Sequence, residues 1–258
     1  MIGLPPGNIL QYLFLKERLN GLRGIGKKSF IEIGSGNGYV SEIFLNKGFE
    51  GIGFDLNESA CANNEKHNQV FIHSGKYTVN NENFITTNQA LKADIIISCM
   101  VIEHMSDELL DQYFKKCHEI LNDGGVIISL VPSSMKHWGI EDEIAGHIKR
   151  YEFHDFNLMA TKYDLQVKRL TGLTYPLSNV VFGISNSLVK KNESDKLKLS
   201  QQEKTVYTGN RDVQYKTTFP KVFNLILNPI AMYPFHVLQK MFGKNKNNMV
   251  IYGELEKR

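Results

Sequence analysis

The stretch Phe30-Ile31-Glu32-Ile33-Gly34-Ser35-Gly36-Asn37-Gly38-Tyr39-Val40 runs from apolar residues through three spaced glycines into Val40, Ile43 and Phe44 at helical spacing. It reads as a buried strand, a tight turn and a helix whose first turn faces a ligand. Glycine suits such a turn because it accepts positive φ and lets a ligand approach the backbone. The N–H groups at the helix start favour an anionic or polar partner. A dinucleotide-binding turn carries glycines at its first, third and sixth positions. Counted from Gly34, the third position is Gly36 but the sixth is Tyr39, so the pattern is instead Glu-x-Gly-x-Gly-x-Gly headed by Glu32. Downstream, Gly51-Ile52-Gly53-Phe54-Asp55 is a second short strand ending in an acid. An acid about twenty residues beyond the turn can take both hydroxyls of an adenosine ribose.

Outward from this unit, strands alternate with helices, the mark of a doubly wound parallel sheet. Strands are expected at about 29–34, 50–55, 70–73, 94–99, 126–131 and 165–172, and helices at about 37–47, 58–66, 107–121 and 152–162. Asp94–Cys99 is nearly all apolar, as a central parallel strand requires. Ser106 caps the helix that follows, and Asp107 and Glu108 suit its positive end. A leading amphipathic helix is expected over 8–22, with Asn8 as its cap. It would cover the sheet edge.

At 258 residues the chain is long enough for a full α/β core with an elaboration. Thirty basic residues against 27 acidic ones give a net charge of +3, with no basic block, so no nucleic-acid partner is expected. Cys61, Cys99 and Cys117 are odd in number and lack metal-ligand spacing, which points to a reducing, cytoplasmic setting. The N-terminal residues lack the pattern of a signal peptide, and no apolar run reaches eighteen residues.

The strand, glycine turn, helix, strand and acid together resemble the class I S-adenosylmethionine-dependent methyltransferases. Cys99-Met100-Val101-Ile102-Glu103-His104-Met105 and Gly146-His147-Ile148-Lys149-Arg150-Tyr151 resemble two further segments of type-11 and type-23 members and of ubiquinone-pathway O-methyltransferases, a likeness covering about residues 29–172. The resemblance implies S-adenosyl-L-methionine as cofactor. Gly34, Ser35, Gly36 and Gly38 would admit its methionine part, and Glu32 would support the loop or the amino group. Asp55 would hold the ribose, with Leu56 beside the adenine, and Cys99 and Met100 would lie near the methyl. His147 and His104 are the candidate bases, with His104 alternatively a structural residue. Arg150 and Tyr151 would form the acceptor-side wall or anchor their loop, and Glu141–Glu143 would form a solvated acidic face. Some ubiquinone-pathway members bind a divalent metal through two glutamates and a histidine at the Glu103–His104 segment. Met100 stands where the first glutamate would be, so no metal is expected.

The resemblance also implies a last, antiparallel strand, best matched by Met249–Leu255. The organisation expected is a lead-in over 1–28, a Rossmann-like core over 29–172, a mainly helical insertion over 173–248 and a final strand and tail over 249–258. Seventy-odd residues without structure are improbable in a compact domain. Residues 176–190 and 219–243 are therefore expected to form short helices capping the active site, with a polar patch at 190–204. The apolar, lysine-flanked 219–243 suggests a small-molecule or lipid-linked acceptor, shallow bilayer contact or a homodimer. Methyl transfer, to oxygen rather than nitrogen or carbon, is the expected activity. The alternatives are a catalytically inactive methyltransferase-like binding module and a dinucleotide-dependent oxidoreductase.

Overall fold

The computed structural model describes residues 4–199 and 219–258. Helix α1 (Pro6–Gly24) precedes β1 (Ser29–Ile33), α2 (Tyr39–Asn46), β2 (Glu50–Phe54), α3 (Glu58–His67), α4 (Gln69–His73) and β3 (Tyr77–Asn80). Then come β4 (Ala93–Cys99), α5 (Asp107–Ile120), β5 (Leu121–Pro132), α6 (Ile140–Ala145), α7 (Phe153–Lys162) and β6 (Leu165–Leu173). Helices α8 (Leu177–Glu193) and α9 (Tyr233–Met241) lead to β7 (Val250–Lys257).

The strands form one sheet in the order β3-β2-β1-β4-β5-β7-β6. Strand β7 runs antiparallel to both β5 and β6, and the other pairings are parallel. This is the expected doubly wound α/β sheet with an antiparallel last strand and a mainly helical insertion before it. Its order reverses between β1 and β4, so the carboxyl ends of those strands diverge and leave a crevice for a ligand.

Alternation along the central strands divides the core. Ile31, Ile33, Ile96 and Ile127 face Tyr113, Phe114 and Phe156 of α5 and α7. Phe30, Ile95, Ile97 and Ile128 face Phe14, Leu15, Leu19 and Leu22 of α1 together with Phe44 of α2. Burying each large side chain contributes roughly 1.5–3 kcal/mol, so α1 is part of the core rather than a loose lead-in. Arg18 of α1 adds a hydrogen-bonded ion pair at 3.0 Å to the buried Glu254 of β7. Helix α1 starts at Pro6, with no side-chain cap from Asn8. Proline fits that first turn because its missing N–H has no partner there anyway.

The expected third strand, 70–73, is helix α4, and the strand lies at Tyr77–Asn80. A four-residue apolar run does not distinguish the two states. Here Asn68 decides: its backbone accepts from Phe71 and Ile72 N–H, and its buried amide donates to Gly38 O and Asn64 Oδ1. The insertion also departs from expectation. Helix α8 packs on α6 and α1, and α9 packs on α1 and β6. Gln239 of α9 donates to Leu10 O and accepts from Thr174 N–H. Of the polar patch at 190–204, residues 200–204 lie outside the described residues.

Candidate active site

The carboxyl ends of β1, β2 and β4 open onto a cavity of about 470 Å³. Its floor is the glycine turn. Gly34 and Ser35 donate their N–H groups to Phe54 O at 2.9 and 3.0 Å, which ties the turn to the end of β2. Gly34, Gly36 and Gly38 have φ of 70°, 50° and 82°, where L side chains are strained. Their surroundings differ. A Cβ on Gly34 would lie 2.5 Å from Val101 Cγ2, and one on Gly38 would collide with Asn64 and Asn68. One on Gly36 would meet nothing within 4 Å. Gly34 and Gly36 line the cavity, whereas Gly38 is glycine because α3 and the following turn crowd it.

Asp55, at the tip of β2, also lines the cavity and accepts 2.8 Å hydrogen bonds from Gly36 N–H and Asn57 N–H. One carboxylate thus fixes the glycine turn and the start of α3, while lone pairs remain on both oxygens for further donors. Beside it the wall is apolar: Leu56, 68% exposed, with Ala60, Phe84 and Ile85. Glu32 lies beneath the turn, outside the cavity lining and 2% exposed. Ser41 Oγ donates to it through a short hydrogen bond, and Ser41, Tyr77 and Asn64 extend that network. Burial pushes the Glu32 carboxyl up to about 8. Tyr12 of α1 is half-buried near Cys99 and Glu32, and its desolvation lifts the phenol above the ordinary range.

The opposite wall follows β4: Cys99, Met100, Val101, His104 and Met105. Behind His104, residues 102–104 and 146–151 are joined by Ile148 N–H to Glu103 O at 2.8 Å and Tyr151 Oη to Ile102 O at 2.9 Å. His104 Nδ1 lies 3.1 Å from Gly146 O. A carbonyl only accepts, so Nδ1 carries the hydrogen and Nε2 the lone pair. Burial and the neighbouring His147 lower His104 to about 4, which keeps it neutral at physiological pH. His147 Nδ1 lies 2.7 Å from Asp142 Oδ1, and its ring meets that of His104 edge to face at 4.8 Å. Asp142, 0% exposed, also accepts from Arg150 Nε at 2.8 Å and Gly139 N–H at 2.9 Å. Burial alone would raise its carboxyl, but the bonds from His147 and Arg150 outweigh that and hold it below the usual range. Glu103 is also 0% exposed, yet neither carboxyl oxygen has a hydrogen-bond partner. His147 Nε2 is 3.9 Å from Glu103 Oε1, too far for a hydrogen bond. Burial pushes Glu103 up to about 8.

The methyltransferase-domain family model matches residues 9–170, more than half of the chain. The chain belongs to the methyltransferase-domain family. A ubiquinone biosynthesis O-methyltransferase from Pasteurella multocida (strain Pm70) is 26% identical over 143 residues, 52% of this chain; the match spans 57% of that relative's length. Among solved structures, magnesium protoporphyrin IX methyltransferase from Synechocystis PCC 6803 with bound SAH superposes with a TM-score of 0.55 at 13% identity. That match covers 65% of this chain and 77% of the other, and the same enzyme has also been solved with bound SAM. The methyltransferase domain of bacterial CtHen1 gives 0.52 at 18% identity, covering 64% of this chain and 91% of that one. S-adenosyl-L-methionine is therefore the cofactor of this methyltransferase domain, and the dinucleotide reading is set aside. The family match ends at β6, before the insertion and the last strand.

Of the residues singled out in the methyltransferase sequence, Gly34, Gly36, Asp55, Leu56, Cys99, Met100 and His104 line one cavity. Glu32, Ser35 and Gly38 support its floor from behind. Ser35 is buried and accepts from Asn64 Nδ2. Arg150 and Tyr151 are corrected from acceptor wall to anchors: both are buried, bonded to Asp142, Ser133 O and Ile102 O, and absent from the cavity lining. His147 sits one layer behind His104, which reverses the expected order of the two histidines. Among the described residues the insertion does not cap this cavity, since neither α8 nor α9 lines it. With α1, α8 instead encloses a second cavity of about 320 Å³.

Sequence reasoning missed Asp142, placed in a solvated acidic face although it is buried at the centre of a hydrogen-bond cluster. It also missed Tyr12, Phe84 and Ile85. Asp142 lies within α6, between Glu141 and Glu143, and no local signal sets it apart from them. The metal set of some ubiquinone-pathway members does not fit here, because Met100 offers no carboxylate. Among the described residues, one donor atom each from Glu103, His104 and His147 lies within 4.8 Å of the others.

Proposed function

We propose that the chain transfers a methyl group from S-adenosyl-L-methionine to the hydroxyl of a small-molecule or lipid-linked acceptor. The observation that carries this reading is a single cavity with the Asp55-pinned glycine turn on one side and neutral His104 on the other. In this reading the remaining lone pairs of Asp55 accept the ribose hydroxyls, and the apolar face of Leu56, Phe84 and Ile85 takes the adenine. Gly34 and Gly36, which line the cavity, would admit the methionine part. The acceptor oxygen attacks the methyl carbon, the carbon–sulfur bond breaks, and its electron pair returns to a sulfur that becomes a neutral thioether. The sulfonium activates the methyl, so the protein's work is alignment and exclusion of water. A hydroxyl must also lose its proton, and the cluster of His104, His147 and Glu103 is placed to promote that.

The O-methyltransferase among the relatives supports oxygen as the acceptor atom. A lipid-linked acceptor is supported by apolar side chains exposed in the insertion, among them Ile230 at 87%, Leu225, Tyr233 and Met241, with Lys240 and Lys244 nearby. No helix among the described residues is long and apolar enough to cross a membrane. The test is radiolabelled S-adenosylmethionine with hydroxyl- and amine-bearing acceptors, in water-soluble and detergent-solubilised forms. Label in hydroxyl acceptors is expected, with rates about 10²–10⁴-fold lower in His104→Ala and smaller losses in His147→Ala. Label confined to amines removes the oxygen assignment, and cofactor binding without any turnover favours a binding module.

A further inference from the structure

We propose that the insertion before β7 seats the protein on an anionic lipid surface, through the outer face of α9 and the turn that precedes it. Helix α9 turns polar side chains inward and apolar ones outward, the reverse of a helix packed on a core. His236 and Gln239 are buried, whereas Tyr233, Val237 and Met241 are exposed. Bonds from Met232 N–H to Asn228 O and from Tyr233 N–H to Ile230 O carry the winding back past the first residue of the helix. Ile230, Tyr233, Val237 and Met241 therefore follow at intervals of three, four and four residues, which aligns them on one face. Leu225 and Ile226, in the turn before them, are exposed as well.

The inner face explains why the apolar one is left outside. Gln239 donates to Leu10 O and to His236 Nδ1, and accepts from Thr174 N–H. Since Nδ1 of His236 accepts, its Nε2 carries the hydrogen and donates to Glu17 of α1 at 3.0 Å. Lys240 pairs with the same carboxylate at 2.6 Å. Hydrogen bonds and an ion pair thus dock α9 on α1 with its apolar stripe turned away from the core. A contiguous exposed stripe of this kind marks an interaction surface.

Charge decides the occupant. Residues 219–248 contain Lys221, Lys240, Lys244 and Lys246 and no aspartate or glutamate. The whole chain has a net charge of +3, so everything outside this segment carries −1. Lys240 is engaged by Glu17, while Lys244 and Lys246 are exposed just past the end of the stripe, and Lys136 bonds to Asn247 beside them. A second copy of the chain would bring the same lysines against these, whereas an anionic bilayer supplies the opposite charge. Lysine stems lie along apolar surface with their ammonium groups at headgroup level, and a tyrosine suits the same boundary. At nine residues, about 14 Å, α9 can lie in the interface plane but not cross it. A lipid-linked acceptor would then be met at its own surface; vesicle binding itself does not rest on that reading.

The experiment floats the full chain with vesicles of phosphatidylcholine alone or mixed with phosphatidylglycerol. Wild type is expected to bind the mixed vesicles roughly tenfold more tightly or better, and less tightly as salt is raised. Ile230→Ser with Met241→Ser, and separately Lys244→Glu with Lys246→Glu, should each weaken that binding roughly tenfold or more. Leu158→Ser, at an exposed apolar residue of α7, should leave it unchanged. S-adenosylhomocysteine titration of the same samples should match wild type in every variant, which shows that they remain folded; should one double variant fail that check, the other decides. Absence of flotation with the mixed vesicles, equal flotation with both kinds, or undiminished binding in a folded double variant overturns the proposal. So does a dimer in solution that Ile230→Ser with Met241→Ser dissociates, because the stripe then belongs to a second copy. Vesicle binding by a wild type that does not bind S-adenosylhomocysteine would leave the lipid surface standing and remove the cofactor assignment.

Discussion

Two buried glutamates stand close to the carboxyl ends of neighbouring strands, Glu32 within β1 and Glu103 just past β4. Burial pushes both carboxyls up to about 8. Glu32 is embedded in a network of Ser41, Tyr77 and Asn64 that ties α2, α3 and β3 to the glycine turn. Glu103 touches two histidines and bonds to neither. The shifted titration therefore does not separate scaffold from site. The partner inventory does: Glu32 accepts from Ser41 and anchors a buried network, whereas both oxygens of Glu103 lack a hydrogen-bond partner.

Removing each acid is the most forceful way to break this comparison. Glu32→Ala leaves the buried Ser41 hydroxyl without its acceptor and disturbs the network it shares with Tyr77, and should cost about 2–4 kcal/mol of unfolding free energy. Glu103→Met deletes an unsatisfied buried group and should be neutral or stabilising by about 1–2 kcal/mol. Urea denaturation of both variants decides the matter. Comparable losses would show that Glu103 is as structural as Glu32.

A second contrast lies within the glycine turn. Gly36→Ala should cost about 1–2 kcal/mol for its left-handed backbone, since its Cβ enters open cavity, but should weaken S-adenosylhomocysteine binding at least tenfold. Gly38→Ala carries the same backbone cost plus a collision with Asn64 and Asn68, and should lose about 2–3 kcal/mol. Paired thermal unfolding and titration calorimetry would expose the reverse order.

The smallest effect is in pH. Glu32 has a folded-state value raised from 4.5 to about 8. The folded chain thus keeps a proton that the unfolded chain has released, and the associated stability is complete below about pH 4.5 and lost as pH rises through 8. Wild type should therefore lose stability against Glu32→Gln over that interval, by roughly 1 kcal/mol or more. A constant difference between the two proteins would mean that Glu32 is ionised in the fold.

The same contrast explains what the sequence could show. The strand, glycine turn and acid are contiguous or one strand apart, and backbone geometry dictates their residue types. Glu32, Gly34, Gly36 and Asp55 could therefore be read from spacing alone. The glutamate–histidine cluster is assembled from residues 103–104 and 142–150, which meet only when β4 and β5 lie side by side. Asp142 sits between Glu141 and Glu143, and nothing local marks the one acid of three that turns inward. Residues 70–73 failed for another reason: a short apolar run is settled by tertiary bonds to Asn68 rather than by its own pattern. The insertion was legible as helical, but its destination depended on the partners of α9, Leu10 O and Glu17 on α1.

The central claim, that Asp55 and the glycine turn form the S-adenosylmethionine site, is tested most directly by calorimetric titration of S-adenosylhomocysteine into wild type and Asp55→Ala. One site per chain is expected in wild type. Removing a carboxylate that holds the turn and, in the proposed reading, the ribose should weaken it about ten- to hundredfold, with the circular dichroism near native. Equal affinity in the two proteins, or a wild type that binds NAD and not S-adenosylhomocysteine, would contradict the account.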